Sequence, residues 1–369
     1  MSYPKKNADP ILLTLVTVLV LGGFLIFSSA ALGLFARSGA SFQNVAFNQF
    51  FFGIVGGGVA MFLTSKVHYR HWRKYAFYIF LISCMVSLMV FIPEVGATYG
   101  GASRWIKIGN FSIQPAEILK IGFIIYLATW LSGMYHKIHT CKYGTLPFLA
   151  LLSIPGLILL SQPDTDSFIV IVSASAAMFL VAGGRWRDIF ILGILGVLLL
   201  LLLIFSRPYV MDRLTAFLDP SADPQGSGYQ INQSLISIGS GGLVGRGFGQ
   251  GIQKFEYLPE PIGDSIFAVY AEEFGFVGSF FLIALISVFT FRGFKIATQA
   301  KDLFGMLLVV GVITLIATQA FLNIASIVGL IPIAGIPLPF ISHGGTALLF
   351  TLAAVGIVLN VSKHQYREK

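Results

Sequence analysis
Charge is what this sequence has least of. Only 40 of its 369 residues are Asp, Glu, Lys or Arg, 11% of the chain, where a soluble domain carries about 25%. Hydrophobic residues make up 56% and the mean hydropathy is +0.83. A water-soluble surface cannot be assembled from such a composition. A net charge of +8 does not point to nucleic acid either, because the basic residues are few and dispersed. Cysteine is nearly absent: Cys84 lies in an apolar run and Cys141 in a basic loop, so a disulfide framework is excluded and the two thiols are not expected to meet. What remains is a chain of long apolar runs, hence an integral membrane protein.

A spanning helix needs about 20 mainly apolar residues. Ten candidates fit, near 11–31, 46–64, 75–93, 114–132, 146–161, 167–183, 189–206, 265–291, 304–325 and 344–362. Strands are not expected within the bilayer, where an open sheet edge would leave backbone groups unsatisfied. The expected fold is therefore all-α, one polytopic membrane domain over residues 1–369. The first run is too long for a cleavable signal and reads as a span. Span four is the least lipid-like, since it opens on Gln114 and carries Glu117 and Lys120. Gly53, Gly56, Gly57 and Gly58 in the second span imply close helix packing.

With the amino terminus inside, 16 Lys and Arg residues fall on inner segments and seven on outer ones. That bias sets the orientation, with both termini cytoplasmic. Most acids gather on the outer side. The connection between spans seven and eight, about 207–263, is far longer than any other, and loops of that length are usually functional. Its first part, Tyr209 to Leu218, reads as a short interfacial helix; its second is rich in glycine.

Four constellations stand out. Gln114, Glu117 and Lys120 share a helix face; they form either a structural ion pair or a polar cavity wall offering Lys120 to an anion. Asp164 and Asp166 make a D-x-D, a pattern that can hold a divalent cation but is also common in turns. Gly239 to Gly251 (GSGGLVGRGFGQG) suggests a phosphate cradle but lacks both the dinucleotide and the P-loop spacing, so a flexible loop is expected, with Arg246 and Lys254 near enough to meet a diphosphate. Asp264 opens the eighth span at the outer boundary, where it is either a helix cap or a base of raised pKa.

These residues carry a resemblance. Asp219 to Gly278, Gly101 to Lys120 (GASRWIKIGNFSIQPAEILK), Gln162-Pro163-Asp164 and Gly329 to Gly345 (GLIPIAGIPLPFISHGG) together resemble the SEDS family (shape, elongation, division and sporulation). The resemblance extends over nearly the whole chain. It implies a peptidoglycan glycosyltransferase of the bacterial plasma membrane that polymerises lipid II on the outer leaflet. The family's essential carboxylate, in its P-E-x-x-x-D motif, falls on Asp264. Arg104, Gln114, Glu117, Lys120, Asp164, Lys254 and Ser342 match positions lining the cavity or its mouth, and Arg246 joins them as a candidate for the diphosphate. The implied partners are lipid II, a class B penicillin-binding protein (a single-span transpeptidase), other divisome proteins and membrane lipids, with no nucleic acid. The FEYLPEP stretch and short tails are closer to the division and sporulation branch than to the elongation branch. The sequence departs from the family at Ser103, Asp166, Gly263, Ser265 and His343. Asp166 stands where Gly is usual, so the family does not support a D-x-D metal site. A divalent cation could assist, but no ligand set is legible.

The rival readings are a lipid II flippase, which needs polar groups through both leaflets, and a scaffold for the transpeptidase. Clustering of acids, glycines and the long loop on one side favours the enzyme. The orientation is testable. In a background without Cys84 and Cys141, single cysteines at Lys254 and Asp264 should be accessible only from outside. Those at Arg70, His139 and Lys301 should be accessible only from the cytosol. Labelling of position 301 by an impermeant thiol reagent in intact, wall-stripped cells would reverse the assignment.

Overall fold
The computed structural model describes residues 7–37, 43, 45–99, 102–108, 111–206, 208–220 and 226–365. Several residues used above for the orientation, among them Lys5, Lys6, Arg207, Asp223, Arg367 and Lys369, lie outside them. Among the described residues, nine helices are long and apolar enough to cross a membrane, and a tenth apolar helix is shorter. They run α1 (Pro10–Arg37), α2 (Val45–Lys66), α3 (Tyr69–Leu88), α4 (Pro115–Met134), α5 (Leu146–Ser161), the shorter α6 (Thr165–Val181) and α7 (Trp186–Ser206). Two helices of the long loop follow, α8 (Pro208–Leu218) and α9 (Ser227–Gly241), then a single turn, α10 (Gln253–Glu256). The last three spans are α11 (Ile266–Thr298), α12 (Leu303–Ile327) and α13 (Gly345–Ser362).

α12 is the axis of the bundle and packs against α4, α6, α11 and α13. Its most apolar stretch is 78% buried, against 50% for α4 and 22% for α11. The most enclosed span is thus the ninth, not the polar fourth. A helix apolar all round belongs in an interior, and Gly311 lets α4 and α6 close in. A Cβ there would lie 2.6 Å from both Ile124 and Met178. α7 contacts mainly α6 and α8 and stands at the edge of the bundle.

The expected glycine packing of the second span is present against α13. A Cβ at Gly57 would meet Leu352 at 2.7 Å, and one at Gly53 would meet Leu348 at 3.1 Å; Gly58 faces open space. Within α2, residues Asn48–Gly56 are wound as a π-helix, a form often found at functional sites. Gln49 is buried there, donates to the Ser342 carbonyl (3.3 Å) and accepts from the Gly344 amide (3.1 Å).

Two features were not anticipated. Between α3 and α4 the chain forms a three-stranded antiparallel sheet, β1 (Gly96–Tyr99), β2 (Ala102–Ile108) and β3 (Phe111–Ile113), in the order β1-β2-β3. It adjoins the helices without being one of the spans, so the bilayer argument against strands does not reach it. Residues 227–241, read as glycine-rich loop, are helical (α9) and pack on α11. Cys84 and Cys141 are both free.

Packing of α2 on α13 gives a direct test. A side chain at Gly356 would strike Thr64 and the Met61 carbonyl. Gly356→Leu should therefore lower stability by about 1–3 kcal/mol, the usual cost of overpacking, visible as a drop in melting temperature in detergent. Gly58→Leu, with nothing within 4 Å of its Cβ, should melt like the parent. Equal melting of the two variants would refute the packing.

Candidate functional site
Asp264 sits in the turn Pro259–Ser265 that feeds α11. The turn is closed on the Glu260 carbonyl, which accepts from Gly263 N (3.1 Å) and Ser265 N (3.2 Å). The N-cap of α11 is Ser265 and no side chain caps the helix. Asp264 is thus free of the capping role that its position in the sequence allowed. Its backbone is held from two sides. Ser342 Oγ donates to the Gly263 carbonyl (2.8 Å) and accepts from Leu338 N (2.8 Å). Asn323 of α12 donates to the Asp264 carbonyl (2.8 Å) and to the Ile336 carbonyl (2.9 Å).

The Asp264 carboxylate faces two arginines at Gly335. A Cβ on Gly335 would lie 3.3 Å from Arg213 Nη2, 3.7 Å from Arg104 Nη1 and 3.7 Å from Asp264 Oδ2. Glycine at 335 leaves open the space where the three charged groups converge. Arg104 comes from β2 and donates to the carbonyls of Gln162 (3.4 Å) and Pro163 in the α5–α6 turn. Arg213 comes from α8 and pairs with Asp166 at 2.9 Å; Asp166 also accepts from Gly335 N (3.0 Å). Five separate parts of the chain meet here: the sheet, the α5–α6 turn, α8, the α11 turn and the α12–α13 loop.

The electrostatics are opposed. Desolvation, then the negative charges of Glu260 and Asp166, push the Asp264 carboxyl up to about 7, although Arg213 and Arg104 pull the other way. A carboxylate so placed accepts protons near neutral pH, which an ordinary Asp of pKa about 4 does poorly.

The other sequence-predicted residues divide into supports and outliers. Glu117 and Lys120 do pair (2.7 Å), but they are 4% and 1% exposed, and Lys120 also donates to Gln319 (2.7 Å). Gln319 in turn donates to the Pro337 carbonyl (3.1 Å). Lys120 is therefore committed beneath the site and is not an open cation, as its offer to an anion would require. Gln114 is buried at the head of α4. Asp164 caps α6 by accepting from Ser167 N (3.2 Å). The D-x-D carboxylates thus turn to different partners, and no group of three or more potential metal ligands occurs among the described residues.

Lys254 and Arg246 belong to a second cluster. Lys254 is fully buried and donates to Glu273 (2.6 Å), Ser29 (2.8 Å) and the Gly249 carbonyl (3.0 Å). Arg246 is 38% exposed, with its Nε 3.7 Å from Glu272. The glycine segment around them is an anion cradle already filled from within. Glu272 accepts from Ile252 N (2.9 Å) and Gln253 N (3.3 Å), and Glu273 accepts from Gly249 N (3.0 Å). Their carbonyls take the amides of Arg246 (3.0 Å) and Gly247 (2.9 Å). α11 is broken at Gly275 (φ 64°, ψ −162°), and the amides of Phe276 and Val277 bond to Gly242 and Leu243 across the break.

Sequence reasoning missed Arg213, Gln319, Asn323 and Gly335 as parts of the site. Arg213 gave no signal beyond one basic residue on an interfacial helix, and Gln319 and Asn323 are isolated amides in an apolar run.

Fold and site together define a multi-pass membrane bundle in which one carboxylate faces two arginines. Its relatives narrow the class. The profile of the cell cycle protein family of FtsW, RodA and SpoVE matches residues 9–367, and the chain belongs to this family, the SEDS proteins. It is 41% identical to stage V sporulation protein E of Bacillus subtilis over 98% of both chains. It is 40% identical to the probable peptidoglycan glycosyltransferase FtsW of Geobacter metallireducens over 83% of this chain and 82% of that one. In structure it is similar to the rod shape determining protein RodA of Thermus thermophilus (TM-score 0.69, 26% identity, 98% of each chain). It is also similar to a chain from a peptidoglycan synthase complex that coordinates polymerization and crosslinking (TM-score 0.81, 26% identity, 98% and 99% covered).

Asp166 offers a test of the site's electrostatics. Asp166→Asn removes a negative charge that raises Asp264 and releases Arg213, which lowers it; both changes have the same sign. The midpoint of the Asp264 carboxyl, followed by its infrared band during pH titration, should fall from about 7 toward the ordinary carboxylate range. An unchanged midpoint would show that Asp166 does not act on Asp264.

Proposed function
We propose that this chain polymerises lipid II into glycan strands at the outer leaflet of the bacterial plasma membrane, with Asp264 as general base and both termini in the cytoplasm. The observation that carries the reading is the meeting of Asp264 with Arg104 and Arg213 at Gly335. Related chains named as peptidoglycan glycosyltransferases, matched over most of this one, support the same activity. The 4-hydroxyl of an acceptor GlcNAc attacks C1 of a donor MurNAc, its proton passes to Asp264, and undecaprenyl diphosphate leaves with the bonding electrons. An α-linked donor gives a β-linked product, so a single base suffices and no covalent enzyme intermediate is needed.

Arg104 and Arg213 meet the charge that develops on the diphosphate. Glu117, Lys120, Gln319, Asn323 and Ser342 are positioning residues that hold the loops around Asp264. Asp164 sets the α5–α6 turn to which Arg104 is tied. Gln114 begins the helix that carries the buried pair, and Lys254 holds the glycine segment.

The role is septal wall synthesis, a reading supported by similarity to FtsW proteins, while similarity to stage V sporulation protein E supports the sporulation branch. The partner is a single-span class B transpeptidase. The surface offered to it is α11, where Phe276, Phe280 and Phe291 are exposed; enclosed α12 adds little beyond Phe321. The complex that coordinates polymerization and crosslinking supports such a partner.

Asp264→Asn keeps the size of the side chain and removes its basicity. Glycan synthesis from purified lipid II should fall by about two orders of magnitude or more, with melting temperature near that of the parent. In the parent the rate should fall about tenfold per pH unit well below pH 7 and level off above it, because the carboxylate accepts a proton only when ionised. A folded Asp264→Asn protein that makes strands at the parental rate would end the assignment.

A further inference from the structure
An apolar groove of about 540 Å³ runs between α1 and α11, lined among others by Val18, Gly22, Phe248, Tyr270, Phe281 and Ile341. The functional reading has made no use of it. Its wall on α11 extends from Tyr270 to Leu285, across the break at Gly275, and its wall on α1 from Val18 to Ile26, roughly 12 Å of helix. The groove is apolar along its length and open on one side. The proposed transpeptidase surface is separate: at about 100° per residue, Phe276, Phe280 and Phe291 lie on another side of α11 from Phe281 and Leu285.

Both ends of the groove carry information. At the glycine segment, Phe248 closes it two residues from Arg246, whose side chain is 38% exposed and so presents a cation where an anionic head group would sit. Ile341 adjoins Ser342, which bonds to the Gly263 carbonyl beside Asp264. The groove is thus joined through one loop to the turn that holds the base. Its floor at Gly22 is empty, with nothing within 4 Å of a Cβ placed there, while the neighbouring Gly23 is pressed against the Phe340 carbonyl.

We propose that the α1–α11 groove holds the polyprenyl chain of one of the two lipid-linked substrates, with its diphosphate end toward Arg246. A reaction joining two lipid-linked sugars has to place two such chains, and this groove accommodates one. A polyprenyl diphosphate joins an apolar chain to an anionic end, as the groove joins an apolar lining to a segment carrying Arg246. Bilayer chains are as apolar as the groove, so selection rests on shape and head group and not on hydrophobic transfer.

The proposal rests on the polymerase reading but is tested apart from it. An undecaprenyl diphosphate bearing a photoreactive group at the far end of its chain is added to protein in phospholipid nanodiscs, and the cross-linked peptides are mapped. Labels should fall within residues 18–26 and 270–285. Gly22→Phe, which places a ring on the floor from a Cβ with nothing within 4 Å, should reduce them by about tenfold or more. Gly193→Phe, which enters a different apolar groove beside α7 and also has nothing within 4 Å of its Cβ, should leave them unchanged. Labels elsewhere, labels that persist in Gly22→Phe, or equal labelling by a phospholipid carrying the same group would overturn the proposal. Strand synthesis is measured in parallel. Selective labelling without strands would remove the polymerase reading and leave the polyprenyl site, while strands with unselective labelling would do the reverse.

Discussion

One side-chain amide ties the site together. Asn323 lies on the central helix, is fully buried, and gives both hydrogens of its nitrogen to loop carbonyls, those of Asp264 and Ile336. Away from water, each carbonyl without a donor would cost about 1–3 kcal/mol, so the two loops share one anchor and their relative position is fixed. One turn earlier, Gln319 repeats the arrangement, bonding the Pro337 carbonyl with its nitrogen and Lys120 with its oxygen. The buried Glu117–Lys120 pair acquires its purpose here. A buried ion pair contributes little net stability, but this one fixes the orientation of Gln319 and thereby supports the loop that carries Gly335.

The glycine segment obeys the same constraint by another route. A helix broken at Gly275 leaves amides and carbonyls unpaired, which hydrocarbon does not tolerate unless protein covers them. The chain around Gly242 to Gly249 supplies the partners, and Glu272 and Glu273 bind its amides in return. Two carboxylates in an apolar setting would be costly alone. The Lys254 ammonium and the ring of amides offset that cost. A motif resembling an anion site is thus closed on the protein's own anions, and its one exposed cation, Arg246, is left at the rim.

Much of the fold is written in composition and periodicity. Span positions follow from apolar length, the close approach of α2 to α13 from Gly53 and Gly57, and the short helix over Tyr209 to Leu218 from its amphipathic pattern. Asp264 could be singled out but not decided, because a cap and a base demand the same residue at the same place; the start of α11 at Ser265 removes the cap reading. The fate of the cations was less legible. Lys254, Arg104 and Arg213 read as charges on the outer side and Lys120 as a cation within the fourth span, yet Lys254 is buried with Glu273, Lys120 with Glu117, and the two arginines converge at Gly335. The meeting of Arg104 and Arg213 at Gly335, each more than a hundred positions away, is set by how helices pack, and single-sequence patterns hold no record of it. The sheet of β1, β2 and β3 was missed for a simpler reason: short strands between spans give no long periodic signal.

Asp166 bears on the central tension of the proposed chemistry. A base must hold its proton tightly enough to take it from a sugar hydroxyl, while the leaving diphosphate calls for positive charge close by. Arginines beside Asp264 serve the second need and work against the first by favouring the ionised form. Asp166 moderates the conflict. By pairing with Arg213 it neutralises part of that arginine's field at Asp264, and its own charge adds to that of Glu260 in keeping the carboxyl near 7. A donor diphosphate bound at the arginines would act in the same direction, since further negative charge raises the carboxyl again. Asp264 would then be most basic when the leaving group is in place, and the catalytic strength of the site would depend on substrate occupancy.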